Sequence, residues 1–286
     1  MKLRQFQQSV FLQLSSFLGE GEARAVVRLL FEHFTGYDKL YINLNPQTVI
    51  ASHIVDNINT AVTQLIENKP IQYILGETFF CNLPFIVTDA VLIPRPETEE
   101  LTWWVIEENK QTNKIFDICT GSACIAVSLA KNLKESDVYA VEISPEALKI
   151  AQKNAKLNDV NINFMQYDVL NADFIHSIDT KFDVIVCNPP YVREMEKPYM
   201  HKRVLDYEPH NALFVSNEQP LLFYNAILQF GQTHLVNNGR LYFEINEYFG
   251  KEITNLYLKY GYTNICLKQD IHGKDRMVSG MMNDVF

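Results

Sequence analysis

The chain has 286 residues, 47% of them hydrophobic, and a formal charge of −9. A chain of that length can bury a sizeable core and form one or two domains. Its acidity argues against an affinity built on many phosphate contacts, which needs clustered Lys and Arg.

The start, residues 1–8, is too polar for a secretory signal, and no apolar run reaches the roughly 18–20 residues that span a bilayer. The five cysteines (Cys81, Cys119, Cys124, Cys187 and Cys266) lie apart, mostly in apolar runs and without a Cys-x-x-Cys pair. Reduced, buried thiols in a cytoplasmic protein are expected. The histidines are scattered and point to no metal site.

Residues 1–70 read as a small helical domain. Val26, Val27, Leu29, Leu30, Phe31 and Phe34 recur at helical spacing, and Thr35-Gly36 supplies a stop. Asn45-Pro46 is expected to open a further helix with Pro in its first turn. That helix carries Val49, Ile50, Ile54, Ile58, Val62, Leu65 and Ile66 on one side and ends at Asn68-Lys69-Pro70. A bundle this small is hard to stabilise alone, so it is expected to pack on the remainder of the chain or serve as a binding platform. Residues 71–92 are expected to form a connecting β-hairpin, with apolar runs at 71–80 and 85–87 around the turn-forming 81–84.

From residue 97 the pattern alternates. Strands are predicted at 114–118, 138–142, 161–165, 183–187 and 240–245, and helices at 97–109, 122–133, 145–157, 219–236 and 249–260. Two strand-like runs, 262–268 and 276–282, end the chain. Strands separated by helices of this length imply a mostly parallel, doubly wound α/β sheet, here of seven strands. The last two are joined too closely for a helical crossover, so one runs antiparallel. The stretch 188–218 is the longest without a predicted element, and loops that long are usually functional.

In such sheets ligands bind at the carboxyl ends of the strands. The first strand ends in Asp117-Ile118-Cys119-Thr120-Gly121-Ser122-Ala123, a small-residue turn that lets a ligand approach the backbone and a helix N-terminus. Glu142 ends the second strand, where a carboxylate can accept from both hydroxyls of a ribose. The third leads to Asp168-Val169, and Asp168 can accept from an exocyclic amine. Together these describe an adenosine-shaped site. A dinucleotide needs Gly-x-Gly-x-x-Gly to reach its pyrophosphate, and only Gly121 is present. S-adenosylmethionine is less demanding, and its positive sulfonium tolerates the Asp117 carboxylate. Methyl transfer is therefore favoured.

The apolar run 182–187 reads as a buried strand, and Asn188-Pro189-Pro190-Tyr191 comes directly after it. Neither proline can donate to a ladder, so the chain leaves the sheet as a stiff turn. An amide, two rigid carbonyls and a ring suit a flat nitrogen group that needs two acceptors and a stacking surface. Asn188, Pro189 and Tyr191 are the candidate catalytic residues, and Asn188, Pro189, Pro190 and Tyr191 the candidate substrate-binding set.

These segments, together with Ile93-Pro94-Arg95-Pro96-Glu97-Thr98-Glu99, resemble the HemK-type methyltransferases that modify the glutamine of peptide chain release factors. Glu208-Pro209-His210-Asn211-Ala212-Leu213, Asn238-Gly239 ahead of Phe243-Glu244-Ile245, and the 270–278 run with Gly273 and Arg276 add to the likeness, which covers the chain from about residue 70 onward. The resemblance implies a class I, Rossmann-like methyltransferase domain over 93–286 and a substrate-binding domain over 1–70. It implies S-adenosyl-L-methionine as cofactor, S-adenosyl-L-homocysteine as product and the Gly-Gly-Gln loop of a release factor as target. The implied cofactor set is Asp117, Ile118, Cys119, Thr120, Gly121, Glu142, Asp168, Val169 and Asn188. A cytoplasmic monomer that binds neither membrane nor nucleic acid is expected.

Two departures stand out. The family usually carries glycine where this chain has Cys119 and Ala123, and a positive φ at either would cost of order 1 kcal/mol. Val169 stands where relatives often place a larger ring. The tetrapeptide is also shared with adenine-N6 nucleic-acid methyltransferases, which leaves that alternative open. The altered loop leaves open a degenerate adenosylmethionine-binding module that docks on translation factors.

Overall fold

The structure, a computed structural model, describes residues 1–283; the last three residues of the 93–286 domain lie outside them. The chain divides into two compact units. The first comprises Met1–Gly76 and His201–Tyr207. Its helices α1 (Leu3–Leu18), α2 (Glu20–Thr35), α3 (Lys39–Leu44), α4 (Ser52–Ile66) and α5 (Ile71–Leu75) close on a core that includes Phe6, Leu14, Leu30, Phe31, Ile58 and Leu65. Gly36 ends α2 at φ +71°, a left-handed cap whose N–H reaches Glu32 O.

Asn45-Pro46 opens no helix, contrary to expectation. Residues 46–50 run beside the chain start, where the Leu3 N–H donates to Thr48 O and the Ile50 N–H to Met1 O. That pairing satisfies the backbone without a helix and leaves Val49 exposed, so α4 begins only at Ser52. Residues 71–75 are likewise helical. The hairpin is confined to β1 (Glu77–Phe80) and β2 (Leu83–Ile86), which turn at Cys81 and Asn82, both at positive φ. Two successive left-handed residues match the twist of a two-residue hairpin.

In the second unit the chain continues through α6 (Pro96–Glu108), β3 (Lys114–Ile118), α7 (Cys124–Asn132), β4 (Asp137–Glu142), α8 (Pro145–Leu157), β5 (Asn163–Gln166) and β6 (Phe182–Cys187). The stretch 188–218 is not structureless. It holds β7 (Val192–Arg193), α9 (Lys202–Tyr207) and β8 (Phe214–Val215), with β7 and β8 paired in parallel. Helix α9 belongs to the first unit, where Arg203 Nη1 meets Glu22 Oε1 at 2.5 Å and the Tyr207 hydroxyl donates to Glu67 O at 2.9 Å. Then come α10 (Leu222–His234), β9 (Leu235–Glu244), α11 (Gly250–Lys259), β10 (Tyr262–Gln269) and β11 (Asp275–Met282).

Among the described residues the main sheet has seven strands in the order β10-β11-β9-β6-β3-β4-β5. β11 runs antiparallel to both neighbours and the remaining pairings are parallel, as the short final connection requires. Both faces of the sheet are buried. Ile115, Val184 and Val186 enter one core, and Phe116, Ile118, Ile185 and Cys187 enter the other, as a period of two demands. Asp117 shares the face of Ile115. From β3 the chain winds outward through β4 and β5, then returns to place β6 on the other side of β3, with Ile118 opposite Cys187. That reversal is a topological switch point, and the crevice above it is where an open α/β sheet takes ligands.

The thiols of Cys81, Cys124 and Cys187 are buried and Cys119 is partly so. Cys266 is exposed, against expectation, because it lies on the edge strand β10.

Candidate active site

A cavity of about 510 Å³ opens at the carboxyl ends of β3, β4 and β6, within the size range of small-molecule sites. The predicted residues Cys119, Thr120, Gly121, Glu142, Asp168, Val169, Asn188 and Pro190 line it together. Asp117, Ile118, Pro189 and Tyr191 do not. Ile118 is a core residue with no exposed surface.

Asp117 is also fully buried, for a different reason. Helix α7 is capped at its N-terminus by Ala123, whose side chain has no acceptor for the free N–H groups of the first turn. Asp117 supplies it from β3: its Oδ2 accepts the Ala126 N–H at 3.2 Å and the Thr120 hydroxyl at 2.5 Å, while Oδ1 has no partner. Burial pushes the Asp117 carboxyl up to about 7, against those two bonds. Asp117 shapes the loop from below rather than facing a ligand.

The loop itself is tightly coiled. Cys119, Gly121 and Ala123 have φ of 60°, 54° and 62°, so both non-glycine departures sit in the left-handed region that glycine favours. A Cβ built on Gly121 would meet nothing within 4 Å, which marks open space where a ligand can reach the backbone. Glu142 is anchored around it. Its Oε2 accepts the Gly121 N–H at 2.9 Å, and Oε1 accepts the N–H groups of Ile143 and Ser144 at 2.9 and 3.0 Å. Two bonds fill Oε1, so Oε2 keeps the one acceptor site left for a diol hydroxyl. Asp168 is exposed and holds a local turn by accepting the Leu170 N–H at 2.9 Å. A fixed carboxylate, a second acceptor and the apolar walls of Val141 and Val169 fit a nucleoside-sized ligand.

Asn188 is half-buried, and its Nδ2 donates to Thr98 Oγ1 at 3.1 Å. Both prolines are buried. Tyr191 lines a second cavity of about 390 Å³ with Arg193, Asn246, Tyr248 and Arg276. Its hydroxyl donates to Glu244 Oε1 at 2.8 Å, and burial followed by the Glu244 charge raises its pKa well above the usual phenol range. The tetrapeptide thus contributes to two cavities.

The segments 93–99 and 208–213 carry lining residues whose site role the sequence pattern does not reveal, among them Pro94, Arg95, Thr98, Asn211 and Ala212. Arg95 Nη2 donates to Glu208 Oε1 at 2.5 Å, and Glu208 Oε2 accepts the Ile93 N–H at 3.3 Å. Nothing in linear spacing shows that these two segments meet. Among the described residues no group of His, Cys, Asp and Glu is placed to hold a metal ion, and no helix is long and apolar enough to cross a membrane.

The solved methyltransferase from Pyrococcus furiosus superposes with a TM-score of 0.54 at 18% identity, over 79% of this chain and 100% of that one. The hMettl16 catalytic domain superposes with a TM-score of 0.52 at 14% identity, over 81% of this chain and 82% of that one. The family profile "Methyltransferase small domain" matches residues 101–213. Fold and profile define a class I methyltransferase.

The profile "PrmC N-terminal domain" matches residues 10–76. A release factor glutamine methyltransferase of Flavobacterium psychrophilum is 46% identical over 97% of this chain and 98% of its own. Those of Bacteroides thetaiotaomicron and Lactococcus lactis are 42% and 43% identical, over 90% and 76% of this chain and 92% and 78% of theirs. The chain belongs to the release factor glutamine methyltransferase family.

Proposed function

We propose that this enzyme transfers a methyl group from S-adenosyl-L-methionine to the side-chain nitrogen N5 of a glutamine in a peptide chain release factor, the glutamine of its Gly-Gly-Gln loop. The cavity-lining loop 119–121 carries the cofactor. Glu142 Oε2 accepts from a ribose hydroxyl, Asp168 accepts from the adenine amine and Val169 flanks its ring. The observation that carries the reading is the Asn188 side chain at the edge of that cavity, with its NH₂ committed to Thr98 and its oxygen free to accept.

S-adenosylmethionine, when bound, supplies a methyl group on a positively charged sulfur. An amide nitrogen is a poor nucleophile because its lone pair is delocalised into the carbonyl. Asn188 Oδ1 and the Pro189 carbonyl accept one N–H each from the target amide. Those bonds orient the nitrogen, enrich it in electrons and stabilise the positive charge that develops on it. The Tyr191 ring packs against the flat amide, while its hydroxyl stays on Glu244. Most of the acceleration comes from holding the reactants in contact, an effect of up to about 7–11 kcal/mol. No general base is assigned, since the transferred methyl makes the nitrogen acidic and its proton leaves to water. The enzyme acts in the cytoplasm as a monomer and needs no nucleic acid.

Incubation with labelled adenosylmethionine and a release factor tests this. The label should appear on a glutamine side chain, and Asn188→Ala should nearly abolish its transfer while cofactor affinity changes less than a few-fold. Label on adenine in supplied nucleic acid, or near-normal transfer by that variant, would overturn the reading.

A further inference from the structure

An asparagine amide can sit in two orientations of almost the same shape, one presenting oxygen and the other NH₂. Only the first can accept a hydrogen bond from a target amine. Two buried groups from distant parts of the chain decide between them. Thr98, in α6, donates its hydroxyl to Glu244 Oε2 at 2.6 Å, and Asn188 donates Nδ2 to the same hydroxyl oxygen at 3.1 Å. Thr98 is 3% exposed and Glu244 1%, so water cannot substitute for either partner.

The logic is one of polarity. An ionised carboxylate only accepts, so Thr98 must direct its single proton to Glu244. The Thr98 oxygen can then only accept, so Asn188 must offer it NH₂ and turn Oδ1 away. The reversed amide would bring two acceptors face to face in a buried place, leaving both unsatisfied. Glu244 is the acceptor that sets this order. Burial raises its pKa, while the bonds from Thr98 and Tyr191 and the Arg276 charge oppose the rise; Glu97 adds a smaller unfavourable charge. Arg276 itself is paired with Asp270, Nε to Oδ2 at 3.4 Å.

Resting on the proposed function, we infer that Thr98 and Glu244 are positioning residues that fix the polarity of the Asn188 amide, in a line from carboxylate to hydroxyl to amide. The 93–99, 188–191, 243–245 and 270–278 segments thereby act on one oxygen atom. Neither Thr98 nor Glu244 touches the reacting atoms; they act through Asn188.

Steady-state methylation of a release factor by Thr98→Val, Thr98→Ser and Glu244→Leu, with cofactor Kd by calorimetry, tests the inference. Thr98→Val should lower kcat by about 10–100-fold, the range for one buried partner left unpaired, with cofactor Kd and release-factor KM within about 3-fold. Thr98→Ser, which keeps the hydroxyl, should restore kcat to within about 3-fold. Glu244→Leu removes the acceptor and breaks the same line independently, so Thr98→Val/Glu244→Leu should be no slower than the slower single variant. Wild-type kcat in Thr98→Val or Glu244→Leu, or effects that multiply in the double variant, would overturn it. A Thr98→Ser enzyme as slow as Thr98→Val would do the same. An active Asn188→Ala enzyme would instead overturn the proposed function, so the two failures are distinguishable.

Discussion

The Glu142 carboxylate accepts the Gly121 N–H at 2.9 Å, which joins the end of β4 to the loop after β3. Three backbone N–H groups hold this side chain in place before any ligand arrives, so its one remaining acceptor site, on Oε2, is aimed. Glu142→Ala removes both the anchor and the acceptor. Charge-assisted hydrogen bonds contribute about 1.5–3 kcal/mol each, so adenosylmethionine affinity measured by calorimetry should fall roughly 10–100-fold. Glu142→Gln keeps the shape but turns one oxygen into a donor, and should fall between wild type and Ala. An unchanged Kd in both would remove Glu142 from the site.

Gly121 separates two requirements that usually coincide. Its φ of +54° is strained for any residue with a Cβ, yet a Cβ there meets nothing within 4 Å. Gly121→Ala should therefore fold, at a cost of about 1–2 kcal/mol in backbone strain. The added methyl would stand in the open space of the cavity lining, so adenosylmethionine affinity should drop more than stability does. Chemical denaturation and calorimetry on the same variant separate the effects, and full affinity would show that no ligand approaches this backbone.

Cys119 is at φ +60° and only partly buried. Replacing it with glycine relieves a left-handed side chain at the cost of some unfolded-state entropy and a little apolar contact. The balance favours Cys119→Gly by up to about 1 kcal/mol, read as a shift in denaturant midpoint. Ala123 has the same left-handed backbone at φ +62°, but its methyl is fully buried in the core under α7. A buried methyl contributes roughly 0.8 kcal/mol, so Ala123→Gly should be near neutral.

Most of the fold is legible because a sheet buried on both faces gives continuous apolar runs such as 182–187, and helices between them force parallel pairing. The switch point, and with it Glu142 and Asn188, is a consequence of that alternation. The less legible parts depend on satisfaction of polar groups across long separations. An acid at a strand end looks the same whether it meets a ligand or caps a helix. Asp117 does the second because Ala123 leaves the first turn of α7 without an acceptor. Thr98 and Glu244 lie 146 residues apart, and no local pattern announces a bond between them. Pro46 carries a valid helix-start signal, but the chain start takes the backbone bonds instead.

The pair Arg95 and Glu208 fixes the rim of the cavity. Glu208 is 4% exposed and holds both the Arg95 guanidinium and the Ile93 N–H. Removing Glu208 leaves the Ile93 N–H without its acceptor and the Arg95 guanidinium, 32% exposed and so partly hydrated, without its partner, at a cost of about 1–3 kcal/mol, whereas an amide can still accept one of the two bonds. Glu208→Ala should therefore be clearly less stable than Glu208→Gln, by a denaturant midpoint. Equal stability of the two would mean that solvent reaches the pair.

Asp117 makes stability depend on pH in an unusual direction. Burial, opposed by the Thr120 and Ala126 bonds and reinforced by the Glu142 charge, raises its pKa from 3.8 to about 7. The folded protein therefore binds this proton more tightly than the unfolded chain does. Its contribution is fully present below about pH 3.8 and is lost as pH rises through about 7. The loss is at most on the order of 4 kcal/mol, at 1.36 kcal/mol per pKa unit. Asp117→Asn mimics the protonated acid and has no such slope, and other titrating groups cancel in the comparison. The variant's stability relative to wild type should therefore rise steadily from about pH 4 to about pH 7 in urea unfolding, in the window set by those two pKa values. A difference that stays flat across that range would mean Asp117 is ionised throughout, its free Oδ1 supplied with a partner.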